Sequence, residues 1–423
     1  MSMNKNKLAL AVAIAMGLAI PNAFATNGYF AHGYGTKNKG MAGAGVALPQ
    51  DALAAATNPA GIVFVGNRYD FGMEIFSPNR KYSITGNVCG PGPGCSLNGA
   101  EGSDQTMFII PHGGVNWMLG NNSAFGVSVY GNGGMNTEYR NAVFGAFAPS
   151  SNGPTGVDLS QLFVNFAFAQ KIGSNASLGA SVILVSQKFK AEGLTGFKTS
   201  SANGANMTNT GYDTATGIGF KIGGQMAIPG GVSLGASYQP KIDMSEFKKY
   251  AGLFAEQGDF DIPSNYTLGA AWKATPALTV LLDYQKINYS DVAAVSNPIA
   301  NLTPSSLFGS ANGPGFGWQD ISVIKLGAQH VVGSWTWRVG LNHGDNPIPS
   351  SEVTLNILAP GVVEDHYTFG FTKKMSNTSE VNFAYMHAPS EKVTGNIPAG
   401  FGGGTATIEM TQNAVELSLG TKF

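Results

Sequence analysis

Charged side chains are scarce in this chain of 423 residues, which has 24 Lys and Arg and 25 Asp and Glu, together 12% of the sequence. A typical soluble domain contains about 25% charged residues. The net charge of −1 excludes the basic excess of a nucleic-acid-binding protein. Hydrophobic residues reach only 43%, which is too few for a bundle of membrane helices.

Long apolar runs are also missing, apart from one at the N-terminus. Lys5 and Lys7 precede an apolar run over residues 8–20, and Ala23-Phe24-Ala25 matches a cleavage site. We therefore predict a signal peptide over residues 1–25 and a mature chain that begins at Thr26. The alternative, a membrane-spanning helix, requires about 20 apolar residues, more than this run contains.

Cysteine is nearly absent, since the chain contains only Cys89 and Cys95, in the sequence Cys-Gly-Pro-Gly-Pro-Gly-Cys. Two cysteines in a short loop of an exported protein favour a disulfide bond. The alternative is a metal site, but such a site needs about four ligands and no histidine lies nearby. We predict a Cys89–Cys95 disulfide, no metal site and no cofactor.

What the chain does contain is 58 glycines, many aromatic residues and a period-two alternation of apolar and small or polar residues. At the C-terminus Val415, Leu417 and Leu419 fall on one face, and Glu416 and Ser418 fall on the other. The same alternation recurs in segments that end near 171, begin near 278 and begin near 335. One apolar face and one small or polar face is typical of strands in an all-β transmembrane β-barrel.

Six short polar breaks divide the alternating segments, and each predicts a tight periplasmic turn. These turns join twelve strands, and one strand near Arg68 and one that ends at Phe423 give about 14 antiparallel strands. A soluble β-sandwich is the alternative, but this many long strands would overfill one domain. The turns lie near 120–122, 173–175, 229–231, 274–276, 333–334 and 376–378, and the long outer connections cover 86–103, 141–157, 195–211, 249–257, 293–316, 344–361 and 394–405.

Residues 26–66 lack the alternation and are rich in Gly and Ala. We predict that they fold back into the barrel, formed by residues 67–423, as an N-terminal hatch that plugs its lumen. The alternative is a disordered periplasmic extension, for which the segment is too apolar. The predicted hatch residues are Thr26, Asn27, Gly28, Tyr29, Phe30, Asn58, Pro59 and Ala60.

Three motifs resemble the FadL/TodX (OmpP1) family of outer-membrane transporters for long-chain fatty acids and aromatic hydrocarbons. One is Gly43-Ala-Gly-Val-Ala47 with Asn58-Pro59-Ala60-Gly61, one is Phe125-Gly126 leading to Thr137-Glu138-Tyr139, and one covers 347–365. The resemblance extends over essentially the whole mature chain. It implies a barrel of 14 strands with a hatch, capture of hydrophobic ligands by the outer loops, and lateral release into the membrane at a kink in the third strand.

The third strand supports the kink independently of the resemblance. Gly131, Asn132, Gly133 and Gly134 interrupt a segment that alternates up to Tyr130, and such a run favours a bulge or bend over regular pairing. The alternative is that the strand simply ends at Tyr130.

Apolar residues in the outer loops and two lumen cations are the candidate ligand contacts. The loop clusters either hold a ligand or pack against each other. Lys325 and Arg338 point inward on neighbouring predicted strands and would suit a fatty-acid carboxylate; they could instead pair with Glu416 or Asp283, and a neutral ligand needs neither. The candidate loop residues are Phe144, Phe147, Leu253, Phe254, Leu302 and Phe308.

These features predict a monomeric protein of the bacterial outer membrane that takes up hydrophobic small molecules passively and contacts outer-membrane lipid. The main alternative is a general diffusion porin for hydrophilic solutes, which an apolar hatch disfavours. An enzyme is a further alternative, but the six histidines are scattered and no serine has a nucleophile context, so we predict no catalytic residues. An adhesin or structural barrel would have no use for a hatch or a kink.

Overall fold

The computed structural model describes residues 27–89, 96–147 and 153–423. The predicted signal peptide, Thr26 and Cys95 lie outside the described residues, while Cys89 is disulfide-bonded. Fourteen antiparallel strands form the wall of a barrel. They are β1 (Arg68–Thr85), β2 (Phe108–Met118), β3 (Ser123–Tyr139), β4 (Thr155–Ile172), β5 (Ala176–Glu192), β6 (Asp213–Ile228), β7 (Val232–Gln239), β8 (Asn265–Lys273), β9 (Leu278–Ile287), β10 (Ile321–Val332), β11 (Trp335–Gly344), β12 (Asp365–Lys374), β13 (Ser379–Asn396) and β14 (Thr405–Lys422).

The barrel closes where its first strand pairs with its last. The register between β1 and β14 runs from Arg68 opposite Lys422 to Thr85 opposite Thr405. Closure is required because a lipid-exposed sheet edge would leave backbone groups without hydrogen-bond partners. A further short strand, Gly99–Gly102, pairs with the outer part of β1. The predicted fold of 14 antiparallel strands is confirmed.

The alternation of side chains explains why these segments become barrel strands. In β14 the side chains of Leu417 and Leu419 are 55% and 62% exposed, whereas Glu416 and Ser418 are buried. Successive side chains in a strand point to opposite faces, so the apolar set meets lipid and the polar set faces the lumen. The same division is clear in strands such as β1 and β11, whereas β3 is buried along most of its length.

All six predicted turns fall between strands, but one outer connection was predicted too short. The connection expected over 249–257 extends over 240–264, because β7 ends at Gln239 and β8 begins only at Asn265. Its flanks make isolated bridges, Gly217 with Met244 and Ile242 with Ile262. Part of the loop therefore pairs with the upper part of β6, which pairs with β7 only from Ile222 onward.

Helices in the described ranges are all short, and the structure shows none there with the length and apolar character to cross a bilayer. Two helices and one 3-10 segment lie before β1, and the others lie in the outer loops. The α-helices are α1 (Thr36–Lys39), α2 (Ala54–Thr57), α3 (Ala255–Gly258), α4 (Ala293–Ser296) and α5 (Val353–Asn356). The 3-10 segments are Pro59–Phe64, Gly145–Phe147, Thr195–Ser200, Gly204–Asn206, Lys248–Tyr250, Tyr289–Asp291, Ile299–Asn301, Ser350–Glu352 and Ala399–Phe401.

Residues 27–66, called here the N-terminal segment, pack against the lumen side of the wall. Most of their side chains are buried, including Met41, Ala44 and Ile62, which are 0% exposed. The largest apolar cluster joins this segment to the outer loops. The N-terminal segment therefore contacts lumen-facing side chains of the wall and residues of the outer loops.

Candidate functional site

A buried ion cluster attaches the N-terminal segment to the closing strands. The Lys39 ammonium group bridges the carboxylates of Glu74 and Glu416, with a distance of 3.0 Å between Nζ and Glu416 Oε2. Glu74 and Glu416 lie directly opposite each other on β1 and β14. Thr36 donates a hydrogen bond of 2.7 Å to Glu416. We call this arrangement the Lys39 clamp, and it holds together two carboxylates that would otherwise repel.

A second ion cluster lies nearer the periplasmic end. The Arg68 guanidinium contacts Asp70 at 2.6 Å and Glu380 at 2.6 Å, and Lys37 also pairs with Glu380. Asp70 accepts a hydrogen bond of 2.8 Å from the backbone N–H of Ala52. This cluster ties the N-terminal segment to β1 and β13.

Lys325 and Arg338, the two cations predicted to contact a carboxylate ligand, point inward as expected for lumen residues. Both donate hydrogen bonds to the N-terminal segment. The Lys325 ammonium group donates to the carbonyl of His32 at 2.9 Å. Arg338 donates to the side chain of Gln50 at 2.9 Å and to Thr372 at 2.7 Å. Their role toward a ligand stays a prediction.

The predicted hatch residues Asn58, Pro59 and Ala60 pack against the wall at glycines, which have no side chain. Asn58 donates to the carbonyls of Val46 at 2.8 Å and Gly224 at 3.1 Å. A side chain at Gly179 or Gly223, which lie in register on β5 and β6, would overlap Asn58 or Pro59. Glycine is needed there because the segment approaches the strands so closely.

The predicted kink is a β-bulge in β3. Gly131 pairs with Leu162 and Gly134 pairs with Ser160, so Asn132 and Gly133 together oppose the single residue Gln161. A bulge bends its strand and increases the local twist. The strand continues to Tyr139, so it does not end at Tyr130.

The wall is interrupted beside this kink. Pairing between β2 and β3 ends at Gly113 opposite Val129. Above that point, within the described residues, Phe108–His112 pair with β1 and Tyr130–Tyr139 pair with β4, and these two stretches of wall do not pair with each other. The two sides meet again where the N–H of Asp104 donates to the carbonyl of Glu138 at 2.8 Å. We call the interval between these two junctions the lateral gap.

The start of the N-terminal segment lies against the kink. The N–H of Gly134 donates to the carbonyl of Tyr29 at 3.1 Å, and the N–H of Ala31 donates to the carbonyl of Asn132 at 2.8 Å. Phe30 forms a bridge with Gly133. A Cβ atom on Gly133 would overlap the backbone oxygen of Tyr29.

Aromatic rings surround this docked segment. The ring centroid of Tyr29 lies 5.2 Å from Tyr289, 5.7 Å from Trp318 and 6.1 Å from Phe260. The Tyr289 hydroxyl donates to the carbonyl of Asn27 at 2.5 Å and accepts from the N–H of Tyr29 at 3.2 Å. Phe260, Tyr289 and Trp318 were not predicted from the sequence, where their only signal is the presence of aromatic residues in loops without alternation.

The outer loops enclose an apolar cavity of about 30 Å³, here called the outer cavity. Three predicted ligand residues, Leu253, Phe254 and Phe308, line it with Phe197 and Phe316. Every lining side chain belongs to an apolar residue or glycine. This space would hold about two water molecules, so a toluene-sized ligand has to displace side chains on entry.

The remaining predicted loop residues lie beside the outer cavity. Phe144 and Phe147 pack behind Phe197, with ring-centroid distances of 5.1 Å and 5.8 Å. Leu302 lines a separate open groove of about 660 Å³ together with Glu352. Loop-on-loop packing thus accounts for Phe144 and Phe147 in this structure.

A continuous series of aromatic contacts connects the outer cavity to the kink. Phe254 lines the cavity and lies 4.9 Å from Phe260. Phe260 contacts Tyr29, and the next residue, Phe30, pairs with Gly133. The structure therefore links the predicted residues Phe254, Tyr29, Phe30 and Gly133 through neighbouring contacts.

The loop that carries Phe260 also contains a shifted carboxyl group. Burial and the neighbouring Asp261 carboxylate raise the pKa of the Asp259 carboxyl to about 8. Asp261 also pairs with Lys241 at 2.6 Å. In the part of the chain that the structure describes, no three His, Cys, Asp or Glu side chains form a possible metal site.

The loop over 240–264 is expected to lose stability as the pH rises from about 4 to about 8. Folding raises the pKa of Asp259 from 3.8 to about 8, so the folded loop binds an additional proton across that interval. Limited proteolysis after Lys248 and Lys249 should become several-fold faster at pH 9 than at pH 5, relative to an Asp259→Asn variant that cannot ionise. An identical pH profile in both proteins would contradict the assignment.

Comparison with known proteins gives one family and several structures of the same fold. The family described as outer membrane protein transport protein (OMPP1/FadL/TodX) matches residues 17–423. The Pseudomonas putida toluene transporter TodX matches with a TM-score of 0.68 and 20% identity, over 94% of this chain and 100% of that chain. A Pseudomonas aeruginosa FadL homologue matches with a TM-score of 0.68 and 18% identity, over 94% and 100% of the two chains. The Ralstonia pickettii toluene transporter TbuX matches with a TM-score of 0.62 and 19% identity, over 93% of this chain and 99% of that chain.

No curated protein sequence matches the chain significantly. At identities of 20% or below, the structural matches establish the fold of the barrel.

Proposed function

The chain belongs to the family of outer-membrane transport proteins described as OMPP1/FadL/TodX, and from this membership we propose that it takes up uncharged hydrophobic compounds through its outer cavity. Its place is the outer membrane, where it transports hydrophobic molecules. The proposal concerns the ligand class, the route and the role of the N-terminal segment.

The observation that carries the ligand class is the chemistry of the outer cavity. Among the residues that the structure describes, its lining comprises apolar residues and glycine, without a cation. A carboxylate placed there would lose hydration without gaining a partner, which is costly. Lys325 and Arg338 hold His32 and Gln50 instead. The apolar lining therefore suits a neutral alkane or arene once side chains move aside, and we place a fatty acid second.

The proposed route leads from the outer cavity past Phe260 and Tyr29 to the lateral gap. Supporting it are the aromatic contacts along the way and the absence of β2–β3 pairing above Gly113 within the described residues. An apolar molecule that leaves sideways enters lipid without crossing periplasmic water. Uptake is then passive, driven by the ligand's own gradient.

We propose further that residues 26–66 act as a hatch, with residues 67–423 as the barrel around them. The buried ion clusters at Lys39 and Arg68 support this role, because they attach the segment to the strands that close the barrel. A lumen filled in this way would block hydrophilic solutes and leave the lateral gap as the exit.

The ligand class is tested by binding of radiolabelled toluene to the refolded protein, with hexadecane and a long-chain fatty acid as competitors. We expect toluene to bind and hexadecane to compete, while the fatty acid competes weakly. Tight fatty-acid binding that disappears in an Arg338→Ala variant would contradict the neutral-ligand proposal. No binding of any ligand together with steady ion conductance would favour a general diffusion porin.

The position of the site is tested by a Phe254→Ser variant. We expect its dissociation constant for toluene to rise roughly tenfold, since a buried aromatic side chain contributes about 1.5–3 kcal/mol. Phe147→Ser is the matched control, because Phe147 packs behind Phe197 and does not line the cavity. Equal weakening in both variants would place the ligand elsewhere.

A further inference from the structure

Three buried amide side chains form a hydrogen-bonded series between the kink and an outer loop. Asn132 donates to Gln161 at 3.0 Å, and Gln161 donates to Gln187 at 3.0 Å. Gln187 then donates to the backbone carbonyl of Phe260 at 2.7 Å. All three side chains are buried, with exposures of 1% or less. We call this series the amide chain.

Both ends of the amide chain lie at parts of the proposed route. Asn132 lies in the bulge, accepts from the Tyr34 hydroxyl at 2.6 Å, and holds Ala31 through its backbone carbonyl. Gln161 is the single residue opposite the bulge. At the other end, the ring of Phe260 lies between Phe254 of the outer cavity and Tyr29.

The amide chain has a direction, and this limits the arrangements it can adopt. Each amide accepts from the side of Tyr34 and donates toward Phe260. Turning one amide over would bring two donors or two acceptors together in a buried place, which is unfavourable. If one terminal amide of the chain changes its hydrogen-bond partner, the other amides therefore have to change theirs as well.

We propose that Gln161 and Gln187 are positioning residues that couple entry of a ligand into the outer cavity to the shape of the kink. This inference rests on the proposed function. A ligand larger than the cavity of about 30 Å³ displaces Phe254 and, through it, Phe260. The Gln187 amide then loses its acceptor and re-forms its bonds together with Gln161. Asn132 is thereby released from its position between Tyr34 and Gln161, and its contact with Ala31 loosens.

The test replaces Gln187 with leucine, which keeps the size of the side chain and removes its hydrogen bonds. We expect the variant to bind radiolabelled toluene with a dissociation constant within about twofold of the wild type, while its rate of toluene uptake into cells falls about tenfold. Gln161→Leu should behave alike. The double variant should be no slower than either single variant, because all three break the same series.

Gln285→Leu is the matched control. Gln285 is an inward-facing glutamine on β9, and its side-chain oxygen has no hydrogen-bond partner among the described residues. Its replacement should leave both binding and uptake unchanged. Heat-modifiable migration on gels shows whether each barrel has folded. If Gln187→Leu fails to fold, Gln187→Met replaces it, since methionine has a similar length, adapts to its surroundings and has no donor for the carbonyl of Phe260.

The outcomes separate the coupling from the proposed function. Unchanged uptake in the Gln187 variant, or an equal loss of binding and uptake, would overturn the coupling and leave the transport proposal standing. Additive losses in the double variant would also overturn it. A wild-type protein that takes up no toluene would overturn the proposed function and the coupling with it.

Discussion

Replacing Gly133 with valine is expected to reduce toluene uptake by about tenfold or more while the barrel still folds. A Cβ atom at this position would overlap the backbone oxygen of Tyr29. Overpacking of this kind costs about 1–3 kcal/mol, and each 1.4 kcal/mol corresponds to about a factor of ten. The valine side chain therefore takes up the space beside the Tyr29 backbone at the bulge, and we expect it to obstruct the proposed route at the lateral gap.

The measurement is uptake of radiolabelled toluene by cells that express equal amounts of folded protein. Gly99→Val is the matched control, because Gly99 lies in the short outer strand and no atom lies within 4 Å of a Cβ placed there. Its uptake should equal that of the wild type. Normal uptake by the Gly133 variant would count against exit at the kink.

Replacing Lys39 with methionine is expected to convert a closed barrel into one with steady ion conductance. Without the ammonium group, Glu74 and Glu416 face each other buried with no lysine between them, and Glu416 keeps only its contacts with Thr36 and His112. Removing one partner of a buried ion pair costs about 3–5 kcal/mol. That is enough to change the ratio of docked to released N-terminal segment by more than about a hundredfold. Recordings in planar lipid bilayers measure the result directly.

Two controls make the conductance result specific to the Lys39 clamp. Lys392→Met removes an exposed lysine whose ion pair with Glu409 lies at the surface, and its conductance should match the wild type. The triple variant Lys39→Met, Glu74→Gln and Glu416→Gln removes the repulsion and should conduct less than Lys39→Met alone. A Lys39→Met protein as silent as the wild type would refute the clamp as the element that keeps the lumen closed.

The strands could be predicted from sequence because their signal is local. Period-two alternation in segments such as 414–422 assigns each side chain to lipid or lumen, and each of the six turns has its own polar break. The same locality explains the error at the loop over 240–264. Met244 and Ile242 pair with distant strand or loop residues and so alternate like a strand without belonging to the wall.

The partners of the lumen charges could not be predicted in this way. Inward orientation of Lys325 and Arg338 follows from alternation, but His32 and Gln50 lie about 290 positions earlier in the sequence. Phe260 and Trp318 were missed for the same reason, because their role comes from contact with the N-terminal segment. The alternation of residues within a strand shows which side chains face the lumen, but it does not show which distant segment they contact there.

Pairing between β1 and β14 also determines when the barrel can be completed during biogenesis. The wall is complete only when β1 pairs with β14, the 18-residue strand Thr405–Lys422. The two strands that close the barrel are therefore separated by almost the whole chain. Contacts between such distant residues form slowly because loop closure must come first. The N-terminal segment precedes every wall strand in the sequence, so it is synthesised before the strand that completes the wall.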